Sequence, residues 1–133
     1  MCHTQCSDKA PWIALEFSGT VEVARVDIYN RGNNNHVAAR TKNLEVRLTD
    51  ELPASKDKMY DKGELLGTYP GQGTKGQIIK TQGPAKTGRY VLVQMNNQDC
   101  LNLHEVEAFG IAGSPGNGKT FDISRQYPMG MDL

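Results

Sequence analysis

Residues 11–32 have the sequence PWIALEFSGTVEVARVDIYNRG, which predicts two β-strands, a turn between them and a polar loop after the second strand. The first strand has the period-2 pattern of a half-buried strand. Its two faces comprise Ile13, Leu15 and Phe17 on one side and Ala14 and Glu16 on the other. Ser18-Gly19 interrupts the pattern as a turn does. The faces of the second strand comprise Ala24, Val26 and Ile28 on one side and Arg25, Asp27 and Tyr29 on the other. This strand ends at the polar, basic sequence Asn30-Arg31-Gly32.

Further apolar segments, separated by Gly, Pro and Asn, predict the rest of the sheet. These strands are residues 43–49, 63–69, 76–81, 88–95 and 100–110, with turns at 70–73 and at Gly83-Pro84. The nearly continuous apolar run at 88–95 is typical of a strand covered on both faces. The charged segment 50–62 predicts a long exposed excursion.

The last predicted strand changes phase within its length. Leu101 and Leu103 have one parity, whereas Val106 and Ala108 have the other. A β-bulge near His104-Glu105 reconciles the two halves, because one extra residue reverses the faces. About seven short strands without a convincing amphipathic helix predict an all-β protein, an antiparallel jelly-roll β-sandwich.

The composition disfavours several classes of function. A chain of 133 residues suits one domain. Lys plus Arg and Asp plus Glu each number 15, and this zero formal charge gives no general attraction to nucleic acid. No apolar run is long enough for a membrane span. No nucleophile, base and orienting group form a recognisable set, so we do not expect an enzyme. A neutral partner such as a sugar is compatible with the zero formal charge of the chain.

The C-terminal residues 111–133 are rich in Gly and Pro and differ in composition from the rest of the chain. Residues 113–120, GSPGNGKT, match the phosphate-loop pattern letter by letter. Too few residues follow Thr120 for the helix and the later magnesium-binding strand that the chemistry requires. A flexible linker is therefore favoured, within a tail that drapes over the sandwich or reaches a neighbouring chain.

Three features together resemble a known family: the PW pair before an apolar strand, the NRG turn and the late segment LNLHEVEAFG. They are similar to the F-type lectins (fucolectins) and, more loosely, to the discoidin or coagulation-factor type C modules. The resemblance covers residues 1–110 and implies a galactose-binding-like jelly roll.

The resemblance implies a sugar site formed by His3, Arg31, Asn33 and Arg40. F-type lectins use a histidine shortly before the PW strand, an arginine in the NRG turn and a second basic residue several positions later. Guanidinium and imidazole groups present donors in fixed directions, which suits the hydroxyl and ring oxygens of a sugar. The alternative is that Arg31 and Arg40 are solvated loop residues that bond backbone carbonyls.

The resemblance also implies a calcium site at Glu105 and the backbone of His104, completed by an Asn/Asp-rich loop further upstream. Calcium prefers six to eight oxygen ligands, so the alternative is that Glu105 is a lone structural acceptor. Cys2, Cys6 and Cys100 leave one cysteine over if a single disulfide forms. Their odd number fits either a fragment whose partner cysteine lies upstream or a reduced intracellular protein, and the expectation of secretion depends on the resemblance.

Two functions follow as hypotheses. The first is an extracellular, lectin-like module that binds glycans bearing a fucose- or galactose-type sugar, with calcium as a possible cofactor. The second is an adhesion or assembly module that binds a protein partner, or a second copy of itself, through the sandwich and the tail at 111–133.

Overall fold

A computed structural model describes residues 2–3, 6–32, 38–110 and 123–127. Its strands are β1 (Cys2–His3), β2 (Trp12–Asn30), β3 (Lys42–Thr49), β4 (Glu64–Gln72), β5 (Ile78–Met95), β6 (Asn102–Phe109) and β7 (Ile123–Tyr127). The glycine-rich residues 113–120 lie outside this description. Within the described ranges, we find no helix with the length and apolarity needed to cross a membrane.

All strand pairs are antiparallel, in the order β1-β6-β2-β5-β3-β4, and β7 also pairs with β2. The two long strands each contribute to both layers. Residues 12–16 of β2 pair with residues 90–94 of β5, whereas residues 25–29 of β2 pair with residues 78–82 of β5. The first half of β2 is flanked by β7 and the second half by β6.

The strands form one continuous hydrogen-bonded sheet. This sheet folds into two layers that enclose a single hydrophobic core. Both halves of β2 and both halves of β5 contribute side chains to it. The largest fully buried members of this cluster are Phe17, Ile13, Leu15, Ile28, Leu44, Leu48, Met95, Leu101, Leu103 and Val23. The prediction of an all-β, antiparallel jelly-roll sandwich is confirmed.

The predicted turns at Ser18-Gly19 and Gly83-Pro84 are wrong, because both lie inside the long strands. The β2–β5 register shifts once between Glu16 and Val21 and again between Val23 and Arg25, opposite Gly83-Pro84. Bulges bend a strand without ending it. Since β2 and β5 stay paired on both sides of these shifts, they pass from one layer into the other as a pair.

Two further details differ from the sequence prediction for related reasons. Pro70 and Gly71 lie in β4 at a register shift rather than in a turn, because a proline is tolerated at an irregularity of an edge strand. In β2 the bulge near Ala24 puts Val23 in the core, where it is fully buried, and leaves Ala24 half-buried.

The outer face of the first layer is also covered. Trp12, Ala14 and Leu92 form a second buried cluster, against which Leu52 and Tyr60 of the charged 50–62 segment pack. This confirms that the strand around Leu92 is covered on both faces. It also corrects the description of 50–62 as exposed, because Leu52 and Tyr60 pack against the sheet and the Lys56 ammonium lies 4.9 Å from the centre of the Trp12 ring.

The predicted bulge in the last strand is confirmed. Tyr29 pairs with Glu105, and the next residue, Asn30, pairs with Leu103, so His104 is the extra residue. Leu103 on one side of the bulge and Val106 on the other both face the core. The exposed side chain of His104 is thereby directed away from it.

Candidate functional site

The structure brings the backbones of His3 and Arg31 to the same end of the sandwich. His3 of β1 lies opposite Asn102 of β6. On the other side of β6, Leu103 lies opposite Asn30, the residue before Arg31. Neighbouring strands are about 4.8 Å apart, so these two backbones are separated by roughly 10 Å across one intervening strand.

Arg40 lies at this end as well, beside the start of β6. Its Nη1 donates a hydrogen bond of 3.6 Å to Cys100 Sγ, and its Nε is 4.0 Å from Asp99 Oδ1. The same Asp99 oxygen accepts a 2.8 Å hydrogen bond from the backbone N–H of Cys100. Among the described residues, the partners of the Arg40 guanidinium are thus a sulfur and a carboxylate rather than backbone carbonyls.

A disulfide between Cys6 and Cys100 joins two of the segments that meet here. Cys6 follows β1 closely, and Cys100 lies two residues before β6. The bond therefore ties the chain shortly after His3 to Cys100, and the Cys100 sulfur is the atom that Arg40 contacts. The sequence left the pairing of the three cysteines open, and the structure pairs these two.

Asn30 holds the loop of Arg40 against the 72–77 loop. Its Nδ2 donates to the backbone carbonyls of Ala38 at 2.9 Å and Thr74 at 3.0 Å, and its Oδ1 accepts from Thr41 Oγ1 at 2.8 Å. The side-chain amide thus uses both donor hydrogens and an acceptor in a residue that is only 3% exposed.

Backbone contacts strengthen this junction. The N–H of Gly73 donates to the carbonyl of Thr41 at 2.6 Å, and the N–H of Gly76 donates to the carbonyl of Arg31 at 3.1 Å. A Cβ at Gly73 would lie 2.5 Å from Asn30 Nδ2, so the close approach of the two loops requires glycine at this position. The loop mouth predicted from the NRG sequence is consequently a fixed structure at its described residues.

Asn33 lies outside the described residues, so its placement adds nothing to the site. The two arginines and the backbone of His3 converge, and their role in binding a sugar stays a prediction. Sequence reasoning missed Asn30, Asp99 and the Cys100 contact. Asn30 was visible as a polar residue at the end of an apolar strand, but nothing local indicated that its partners lie eight and 44 residues away.

The described residues do not by themselves provide a calcium site at His104 and Glu105. Throughout the described ranges, no group of three or more His, Cys, Asp or Glu side chains could hold a metal ion. One carboxylate and one carbonyl fall short of the six to eight oxygens that calcium takes. Calcium binding there remains a prediction.

The carboxylates on this part of β6 do influence Tyr29. A hydrogen bond from its hydroxyl to Glu107 is the main reason that the pKa of Tyr29 is raised from 10.0 to about 12. Desolvation and the negative charges of Glu107, Asp27 and Glu105 act in the same direction. The outer face of β2 and β6 thus favours the neutral phenol.

Searches of family models and of curated proteins each find no match. Solved structures do match. The lectin domain of lectinolysin, in complex with Lewis b antigen, is 30% identical, with a TM-score of 0.62 over 83% of this chain and 71% of that one. A mutant of that domain, also in complex with Lewis b, is 30% identical with a TM-score of 0.63.

A fucose-binding module of Streptococcus pneumoniae has a TM-score of 0.59 over 82% of this chain and 69% of its own. At 23% identity it supports the fold alone. The lectinolysin domain combines 30% identity with coverage of more than two thirds of both chains, and it has the fold that the residues predict. This chain therefore belongs to the F-type lectin family of carbohydrate-binding β-sandwich modules.

Proposed function

We propose that this module binds a fucose-bearing glycan at the end of the sandwich where the backbones of His3 and Arg31 meet Arg40, and that Asn33, which lies outside the described residues, also contributes. The observation that carries the proposal is the convergence of these positions on the start of β6. Two guanidinium groups and an imidazole offer directed hydrogen-bond donors to sugar oxygens. The Lewis b complexes of the lectinolysin domain favour fucose over a galactose-type sugar.

The rigid junction around Asn30 supports the same proposal. A sugar site selects one epimer when its donors would be left unpaired by the wrong one, and this selection requires donors that do not relax. Asn30 and the carbonyl of Thr41 hold the described end of the Arg40 loop to the 72–77 loop. Arg40 itself is oriented by Cys100 and Asp99.

The proposed setting of the module is extracellular. The Cys6–Cys100 disulfide is of the kind that persists in oxidising compartments. Calcium support is a separate proposal, in which the Glu105 carboxylate and the His104 carbonyl provide two of the ligands.

A glycan array tests the function, with wild type and the variants Arg31→Ala and Arg40→Ala, each with and without a chelator. Arg89→Ala is the control, because Arg89 is half-exposed and pairs with Glu16 near the opposite end of the sandwich. We expect wild type and Arg89→Ala to bind fucosylated glycans and the other two variants to lose them. Unchanged binding by Arg31→Ala and Arg40→Ala would refute the proposed site. Unchanged binding in the presence of the chelator would refute calcium support.

The second hypothesis, an assembly module that docks through its tail, gains no support from the described part of the tail. Residues 123–127 form β7 and pair with β2 of the same chain. That stretch is therefore already engaged within the module.

A further inference from the structure

We propose that a depression beside Arg40 is a second subsite, which binds a sugar residue adjacent to the one at the first site. This inference rests on the proposed function and extends it from a single sugar to an oligosaccharide. The depression is lined by Ala39, Arg40, Lys42, Gln72 and Asp99. Its volume of about 160 Å³ is below the roughly 300 Å³ at which pockets for drug-sized ligands begin, so it suits part of one sugar ring.

The position of the depression makes the two sites continuous. Arg40, a residue of the first site, forms one wall, so a sugar bound there would extend directly toward Lys42 and Gln72. These two residues lie opposite each other at the paired ends of β3 and β4. Residues held by strand pairing place ligand groups more accurately than residues on long loops.

The far wall of the depression is also preorganised. The hydroxyl of Tyr69 donates to the carbonyl of Gln72 at 3.3 Å, and Gln77 Nε2 donates to the Tyr69 oxygen at 3.0 Å. Gln77 Oε1 in turn accepts from the backbone N–H of Thr74 at 2.9 Å. The segment after β4 is thus fixed to the strand before it, and little conformational entropy is lost when a ligand binds.

The chemistry of the lining favours a hydroxyl-rich ligand. Within the described residues, the Lys42 ammonium and the Gln72 side-chain amide have no hydrogen-bond or ion-pair partner, so both can serve a ligand. A sugar hydroxyl both donates and accepts, and it therefore suits an ammonium, an amide and the Asp99 carboxylate together. Asp99 already lies 4.0 Å from the Arg40 guanidinium, so the Lys42 ammonium also admits an acidic sugar.

Calorimetric titration with three ligands tests the subsite: a simple fucoside, a neutral fucosylated tetrasaccharide and the sialylated counterpart of that tetrasaccharide. Wild type should bind the neutral tetrasaccharide about tenfold more tightly than the fucoside. Lys42→Ala and Gln72→Ala should each weaken tetrasaccharide binding about three- to tenfold, which corresponds to one hydrogen bond, and change fucoside binding less than about twofold. Lys86→Ala and Gln82→Ala, on β5 away from the depression, are the matched controls and should change neither.

Three other outcomes would contradict the proposal or part of it. Equal affinity of wild type for fucoside and tetrasaccharide overturns the subsite alone and leaves the first site standing. The sialylated ligand should bind at least as tightly as the neutral one, and much weaker binding that Lys42→Ala leaves unchanged overturns the assignment of Lys42 to the subsite. Failure of wild type to bind any of the three ligands overturns the proposed function and the subsite together. Thermal unfolding of each variant shows whether a loss reflects the site or the fold, and Lys42→Met, which keeps most of the aliphatic stem, provides a second variant if Lys42→Ala unfolds.

Discussion

Asn30 offers the sharpest test of how this sandwich holds its loops. Replacement by Ala removes the hydrogen bonds to the carbonyls of Ala38 and Thr74 and to the hydroxyl of Thr41. The position is almost fully buried, so water cannot easily replace the lost partners. Leaving a buried polar group unsatisfied costs about 1–3 kcal/mol, and part of this cost is recovered as the loops relax. We expect Asn30→Ala to lower the free energy of unfolding by about 2–4 kcal/mol in total.

Two further variants separate hydrogen bonding from packing. Asn30→Asp keeps the shape and the acceptor for Thr41 but points a carboxylate oxygen at two carbonyls, so it should destabilise at least as much as alanine. Thr41→Val removes one hydrogen bond and should cost about 1 kcal/mol. Because Asn30 and Thr41 share that bond, the double variant should cost less than the sum of the single variants.

Urea unfolding with an unchanged m-value is the appropriate assay, because it compares stability at constant exposed surface. Sugar affinity should be measured alongside it, since the loop that Asn30 anchors leads to Arg40. A loss below about 0.5 kcal/mol for Asn30→Ala, the size of an ordinary surface substitution, would refute the anchoring role. Wild-type stability of Asn30→Asp would refute it independently.

Three other results are expected. The double variant Cys6→Ser/Cys100→Ser, which opens a disulfide across 94 residues, should lose about 2–5 kcal/mol in urea unfolding and bind sugar more weakly; unchanged affinity would show that the bond does not orient Arg40. In an ultraviolet absorbance titration, Tyr29→Phe should remove a tyrosine that ionises at about pH 12, and Glu107→Gln should lower that pKa. Because the folded-state pKa is raised, the stabilisation from neutral Tyr29 is complete below pH 10 and is lost as the pH rises toward 12; a Tyr29 that titrates near pH 10 would contradict this. Leu92→Ala should cost about 2–5 kcal/mol and speed amide exchange in residues 50–62, whereas a cost under 1 kcal/mol would mean that this segment does not cover the sheet.

Alternation of apolar residues was sufficient to predict the class of fold and the His104 bulge. Leu103 and Val106 must both reach the core, and their parity permits this only with an extra residue between them. Turn-forming residues gave wrong predictions at two positions inside the paired strands β2 and β5. Ser18-Gly19 and Gly83-Pro84 have turn-like compositions, but the pairing of β2 with β5 converts each into an irregularity within a strand.

The candidate site shows the same contrast between what a local motif predicts and what depends on distant contacts. His3, Arg31 and Arg40 could be selected from a motif, because their residue types and spacing are visible in one stretch of sequence. The groups that orient these side chains could not be identified from the sequence. The contact between Arg40 and Cys100 spans 60 residues, and that between Asn30 and Thr74 spans 44, so both depend on how β-strands distant in sequence are paired.

The most direct test of the account is a calorimetric titration of wild type, Arg40→Ala and Arg89→Ala with a fucose-terminated tetrasaccharide. Hydrogen bonds from a charged donor are worth about 1.5–3 kcal/mol, so Arg40→Ala should bind about 10- to 100-fold more weakly, while Arg89→Ala should match wild type. Absence of saturable binding by wild type, or equal binding by all three proteins, would contradict the claim that this end of the sandwich recognises a sugar through its arginines.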